Sequence, residues 1–309
     1  MGLIIENVCK SFGEKKAVDN ISFEMSKPGV FGLLGTNGAG KTTTIRMILG
    51  ILKKDSGNIS WNGKDVTRKN VNFGYLPEER GIYPKTKVGE QLIYFAELKG
   101  MNKKEAKESL NKWAKKLEIE EYINMQAEKL SKGNQQKVQF MTCIMHNPEL
   151  IILDEPFSGL DPINTEIIKN VIEELIKEGK YIIMSSHQMA SVEEFCDDIL
   201  IINKSKIVLK GNLKEIKNQY EIKEIAVETV EEIDSIVKKS GLEVVTKNRN
   251  EYLIKINKVL DAQQLLNSIT SQNVQIIKYE LIKPTLHDIF VEKVGENKWE
   301  ILKQWWSIQ

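Results

Sequence analysis

Nine consecutive residues, Gly35, Thr36, Asn37, Gly38, Ala39, Gly40, Lys41, Thr42 and Thr43, follow directly on the apolar run 30–34 and lead into a helical pattern over 43–49. They fit G-x-x-x-x-G-K-[ST], and the strand–loop–helix context narrows the fold more than any other stretch of the chain. Glycines let the backbone turn successive N–H groups inward around phosphate. The start of the following helix adds partial positive charge. In such a loop Lys41 reaches the β- and γ-phosphates of a nucleoside triphosphate, and the Thr42 hydroxyl ligates Mg²⁺.

Two further runs, 150–153 and 181–184, are short and almost wholly apolar. Strands of that kind have both faces covered, as in a parallel sheet whose ligands sit at the C-terminal strand ends. The first ends in Asp154 and Glu155. Two adjacent acids are most often a solvated strand end, but the phosphate loop elsewhere in the chain favours chemistry. Asp154 is placed to hold the Mg²⁺ shell, and Glu155 to polarise the attacking water as a general base.

The segment 88–145 is rich in Lys, Glu, Leu and Ala and has little strand signal, so it reads as a helical insert. Beyond about residue 215 the pattern changes. It predicts strands at 224–228, 242–246, 252–256 and 274–281, with helices at 230–239 and 260–270. The order βαββαβ is that of a split-βαβ, ferredoxin-like module. The expected fold is therefore an α/β P-loop NTPase core over 1–215 with a helical insert, then a small α+β domain over 220–309.

Composition removes several alternatives. A net charge of +1 gives no whole-molecule pull toward nucleic acid or anionic lipid. Cys9, Cys143 and Cys196 lie far apart without metal-ligand spacing and read as buried small hydrophobes. No window holds about 18 uninterrupted apolar residues, so no membrane span is expected. The apolar start is interrupted at Glu6, too early for a secretory leader.

The segment Leu130, Ser131, Lys132, Gly133, Asn134, Gln135, Gln136, Lys137 resembles the LSGGQ signature of the ATP-binding cassette (ABC) family. It stands about twenty residues before the Asp154–Glu155 strand end, and the resemblance covers roughly 1–215. On its own, Ser131 reads as the N-cap of a helix through Met145. The resemblance implies ATP and Mg²⁺ as cofactors and a head-to-tail dimer, homo- or heteromeric. Ser131 and Gly133 of one subunit would close on the γ-phosphate held by the loop of the other. Phe12 resembles the aromatic residue that stacks on adenine, though a core Phe beside a turn is the plainer alternative. His187 is similar to the switch histidine that contacts γ-phosphate, and residues 158–161 to the loop that crosses the dimer interface.

Residues 74–80 resemble the loop that joins the catalytic core to the insert, but Glu78 stands where the family usually carries Gln. Glu78 is a harder ligand than an amide, so stronger metal binding is expected. Lys132 and Asn134 depart from the signature without removing the Ser131 hydroxyl or the Gly133 backbone. Thr36 replaces a frequent Pro that donates no essential side chain.

The resemblance further implies a separate transmembrane permease subunit docked around 80–94, with Arg80 and Tyr83 as contact candidates and Leu92 and Phe95 packing the insert itself. It places the chain in the cytoplasm, peripheral on the inner face of the membrane, with no nucleic acid partner. The C-terminal module is similar to one carried by single-cassette exporter ATPases, which gives export by analogy. Residues 284–290 match its end motif, or more plainly form a helix capped by Thr285 and Asp288. A tail with Trp299, Trp305 and Trp306 packs on its own domain, joins a dimer partner, or touches permease or lipid headgroups. A soluble ABC-type ATPase acting on ribosome or DNA is the alternative. One phosphate loop and no sustained heptads count against it, and Glu155 with His187 count against a non-hydrolysing sensor.

Overall fold

The computed structural model describes residues 2–67, 71–79 and 81–294. The chain divides between Asn212 and Leu213 into two compact units. Arg80 and the three tail tryptophans lie outside the described residues.

The first unit opens with β1 (Leu3–Phe12) and β2 (Lys15–Met25), then β3 (Gly29–Gly35) and α1 (Lys41–Ile48). β4 (Ser56–Trp61), β5 (Lys64–Asp65) and β6 (Phe73–Leu76) follow. Three helices come next, α2 (Val88–Leu98), α3 (Lys103–Lys116) and α4 (Lys132–Ile144). The unit closes with β7 (Leu150–Asp154), α5 (Pro162–Lys177), β8 (Tyr181–Ser186), α6 (Met189–Phe195), β9 (Asp198–Asn203) and β10 (Lys206–Asn212).

Two sheets result. One has the order β2-β1-β4-β5 and is antiparallel. The other has the order β10-β9-β3-β8-β7-β6, parallel throughout except for the β9–β10 pair. Every residue of β3 and β7 is buried, which is why both read as unbroken apolar runs. Leu33, Ile45, Ile48, Ile152 and Ile183 join Leu3, Ile5 and Phe23 in one core that binds the two sheets together.

The insert's helices are set by local chemistry. Asn102 and Glu105 form a reciprocal capping box at the start of α3, and Ala106, Leu110, Trp113 and Ala114 make its buried stripe. Asp161 caps α5 through Asn164 N, with Pro162 in the first turn.

The second unit holds α7 (Leu213–Asn218), β11 (Glu224–Thr229), α8 (Asp234–Ser240), β12 (Glu243–Asn248), β13 (Glu251–Lys255), α9 (Val259–Thr270), β14 (Ile276–Ile282) and α10 (Leu286–Val294). Its sheet, order β12-β13-β11-β14, is antiparallel. Ile225, Val227, Tyr252 and Ile254 pack against Ile236, Val237, Leu265 and Ile269 of the two helices. Thr285 and Asp288 exchange hydrogen bonds at the head of α10, an N-terminal capping box.

The α8 helix begins four residues later than its sequence pattern predicts. Val230 N donates to Gln275 O at 2.9 Å, Asn250 Nδ2 donates to Val230 O at 2.6 Å, and the Thr229 hydroxyl donates to Glu231 O at 2.7 Å. These bonds hold 230–231 as a loop against its neighbours, and tertiary contacts override the local preference.

Candidate active site

The sheet order brings the chemistry together. β8 lies between β3 and β7, with Leu34 opposite Ser186 and Asp154 opposite Ser185. Three strand ends therefore deliver the glycine-rich loop, the Asp154–Glu155 pair and the Ser185–Ser186–His187 segment to one edge. A cavity of about 390 Å³ lies there, lined by Asn37, Gly38, Ala39, Gly40, Lys41, Thr42, Thr43, Asp154 and Glu155. Phe12, Lys15, Ala17 and Glu78 complete its wall. Phe12 is half exposed at the rim, which suits a planar ring stacked on it better than a core position does.

Gly40 precedes α1 with a φ of 113°, and a Cβ there would come within 2.4 Å of Ala17 O. Only glycine fits so close to β2 in that conformation. Gly40 supplies no side-chain cap and the first turn of α1 has no acid, so its leading N–H groups and dipole suit an anion. Lys41 is 7% exposed, and its Nζ donates to Gly35 O at 2.7 Å and Thr36 O at 3.4 Å. Burial holds its pKa below the ordinary lysine value, and Glu155, Asp154 and Glu78 oppose that shift.

The Thr42 hydroxyl donates to Asp154 Oδ2 at 3.2 Å, and the Ser185 hydroxyl donates to Asp154 Oδ1. Burial pushes the Asp154 carboxyl up, while these two donors pull it down. Thr42, Asp154 and Glu78 form an all-oxygen donor set, which fits a hard divalent cation. Among the described residues no group of three or more His, Cys, Asp or Glu could hold a metal by itself. Mg²⁺ matches this sparse set, because it commonly takes one or two carboxylates together with substrate phosphates.

Glu155 sits at a φ of 53°, in the left-handed region that a non-glycine residue seldom adopts. Its N–H donates to Ser185 O at 3.1 Å, and the Ser186 hydroxyl donates to Glu155 Oε2 at 3.3 Å. His187 Nδ1 lies 2.8 Å from Glu155 Oε1. Two contacts on the carboxylate and one on the backbone N–H thus hold a buried Glu155 in a strained conformation at the cavity wall.

The Glu155 hydrogen bond raises the His187 pKa above 6.5, against a smaller opposing effect of burial. The folded state therefore holds this proton more tightly than the unfolded chain does. The resulting stability is complete below pH 6.5 and fades as pH rises through the folded value. In a proton NMR titration, His187 of the nucleotide-free protein is expected to titrate above 6.5, and to move down in Glu155→Gln. An unchanged midpoint in that variant would show that the pair is not coupled.

Ser131 caps α4, accepting from Asn134 N at 3.2 Å, and is exposed. Neither Ser131 nor Gly133 is among the residues lining the Lys41 cavity. A Cβ on Gly133 would meet Nδ2 at the end of the Asn164 side chain at 2.6 Å, so Asn164 would have to shift to admit one. The helix reaches the site by another route, because Gln136 Nε2 donates to Pro156 O at 3.3 Å, next to Glu155. Ser185 and Ser186 were not singled out by sequence reasoning. Their signal was two small hydroxyls at the buried end of an apolar strand.

A glycine-rich loop on a parallel sheet, with the hydrogen-bonded Thr42–Asp154 and Glu155–His187 pairs beside it, is the arrangement of a nucleoside triphosphatase with a helical insert. A family model described as ABC transporter matches residues 18–158. A second, described as ATP-binding protein DrrA1-3-like, C-terminal domain, matches residues 211–294. The chain is 45% identical over 294 residues to the uncharacterized ABC transporter ATP-binding protein YhaQ of Bacillus subtilis (strain 168), covering 95% of this chain and 98% of that protein. It is 30% identical over 306 residues to the linearmycin resistance ATP-binding protein LnrL of the same organism, covering 94% and 98%. The solved structure of an ATP binding subunit of an ABC transporter superposes with a TM-score of 0.66 at 28% identity, over 71% of this chain and 93% of that one. This chain belongs to the ABC transporter ATP-binding proteins. It is the ATP-binding, ATP-hydrolysing subunit of a transporter.

Proposed function

We propose that this chain drives export through a separate permease, working as a head-to-tail pair of ATP-binding subunits. The observation that carries the direction is its similarity along nearly the whole length, C-terminal unit included, to a protein named for linearmycin resistance. Resistance by an ATP-driven transporter follows when the compound is moved away from its target. No helix among the described residues is long and apolar enough to cross a membrane, which fits a motor that borrows its membrane path from another chain.

Lys41 and the N–H groups of residues 37–43 hold the phosphates, and Phe12 carries the adenine ring. Thr42, Asp154 and Glu78 hold Mg²⁺, which neutralises phosphate charge when bound. Glu155 draws a proton from the attacking water, and His187 orients that carboxylate and contacts the γ-phosphate. Exposed Ser131 and the Gly133 backbone reach the nucleotide of the second subunit, which accounts for their absence from this chain's own cavity. Tyr83 is 53% exposed and stacks on Phe95 at 5.8 Å, presenting an aromatic face toward the permease. The assembly lies on the cytoplasmic face of the membrane.

An affinity-tagged full-length chain, extracted in mild detergent, is expected to bring down a polytopic membrane protein in stoichiometric amount. Recovery with ribosomes or DNA, and without such a protein, would replace the transport reading by the soluble one.

A further inference from the structure

Two turns after Ser131, α4 carries Gln139, a side chain 2% exposed. Its Nε2 donates to Pro77 O at 3.2 Å and to Glu79 O at 2.9 Å. Those carbonyls flank Glu78, a residue of the cavity wall together with Thr42 and Asp154. One amide thus pins the backbone on both sides of a single residue. Its Oε1 is buried and has no hydrogen-bond partner among the described residues. An orphaned acceptor is unfavourable, and a leucine of similar size would avoid it. Local rules are broken in this way where a group has a task beyond packing.

We propose that Gln139 is a positioning residue that fastens the Glu78 loop to α4 and so sets where the Glu78 carboxylate stands. The proposal rests on the reading of Glu78 as a metal ligand. Without the amide, the two carbonyls turn to water and the loop samples more positions. Glu78 then spends less time beside Thr42 and Asp154, and the metal is held less tightly. Because α4 also carries Ser131 at its head, the same helix sets both the metal ligand of its own cavity and the cap offered to the second subunit.

The test uses full-length protein with Mn²⁺ as the probe, read by electron paramagnetic resonance in the presence of a non-hydrolysable ATP analogue. Gln139→Leu is expected to weaken Mn²⁺ binding about tenfold, the low end for loss of an outer-shell partner. Analogue affinity in metal chelator stays at the wild-type value. Glu78→Gln weakens Mn²⁺ as well, and the double variant is no weaker than Glu78→Gln alone, since both act through one carboxylate. Gln139→Met serves as a second variant should Gln139→Leu not fold. Wild-type Mn²⁺ binding in Glu78→Gln would overturn the metal-ligand reading and the proposal with it. If Glu78→Gln weakens Mn²⁺ but the Gln139 variants do not, the assignment of Gln139 fails while Glu78 keeps its role. It fails equally if the two effects add, or if metal-free affinity falls to the same extent.

Discussion

Glu155→Gln is expected to lower ATP turnover by about 10²- to 10⁴-fold while ATP binds as tightly as in the parent protein. The amide keeps the length of the side chain and its place at the end of β7, but it cannot take a proton from water. The loss corresponds to roughly 3–5 kcal/mol of barrier, the usual contribution of one general base. Binding survives because the phosphate contacts come from α1 and its loop rather than from this residue. With hydrolysis slowed, the ATP-bound pair of subunits is expected to accumulate and to appear as a dimer by size-exclusion chromatography. Steady-state ATPase and nucleotide titration check the two halves separately. Normal turnover would remove Glu155 as the base.

Lys41→Ala is expected to abolish tight ATP binding. The amine is buried, lies on the Gly35 and Thr36 carbonyls, and is the cation that balances Asp154, Glu155 and Glu78. A charged hydrogen bond contributes roughly 1.5–3 kcal/mol, so two lost phosphate contacts amount to about 10²- to 10⁴-fold in affinity. Removing the cation also leaves Asp154, Glu155 and Glu78 without that balancing charge, which disfavours a triphosphate further. Isothermal titration with ATP decides the matter, and unaltered affinity would argue against the loop assignment.

The catalytic core was legible where its information is local. The glycine spacing, the apolar runs of β3, β7 and β8 and the acids at a strand tip are each contained within a few residues. The antiparallel sheet was not read as such. β1 is only partly buried, and its pairing slips between Ile5 and Val8 and again before Lys10 and Ser11. Such bulges erase the period-two alternation by which a half-buried strand is recognised. β12 shows the converse: the strand predicted at 242–246 is found at Glu243–Asn248, although all six of its residues are exposed and it pairs only with β13 among the described residues. The bonds from Ser185 and Ser186 to the acids span 31 positions, and the Gln139 bonds span about twice that. Partners so distant are fixed only by sheet order and helix packing, which no window of sequence contains.

The backward twist of the chain at Glu155 bears on how this site can vary over generations. Asparagine, aspartate and glycine enter that backbone region at little cost, whereas branched side chains such as valine or isoleucine resist it. A single-nucleotide change to valine would therefore be rejected by the fold before its chemistry was ever tested. Aspartate or glycine would be admitted by the fold and rejected, or retained, on catalysis alone. The twist thereby filters which variants of the site natural selection is allowed to see.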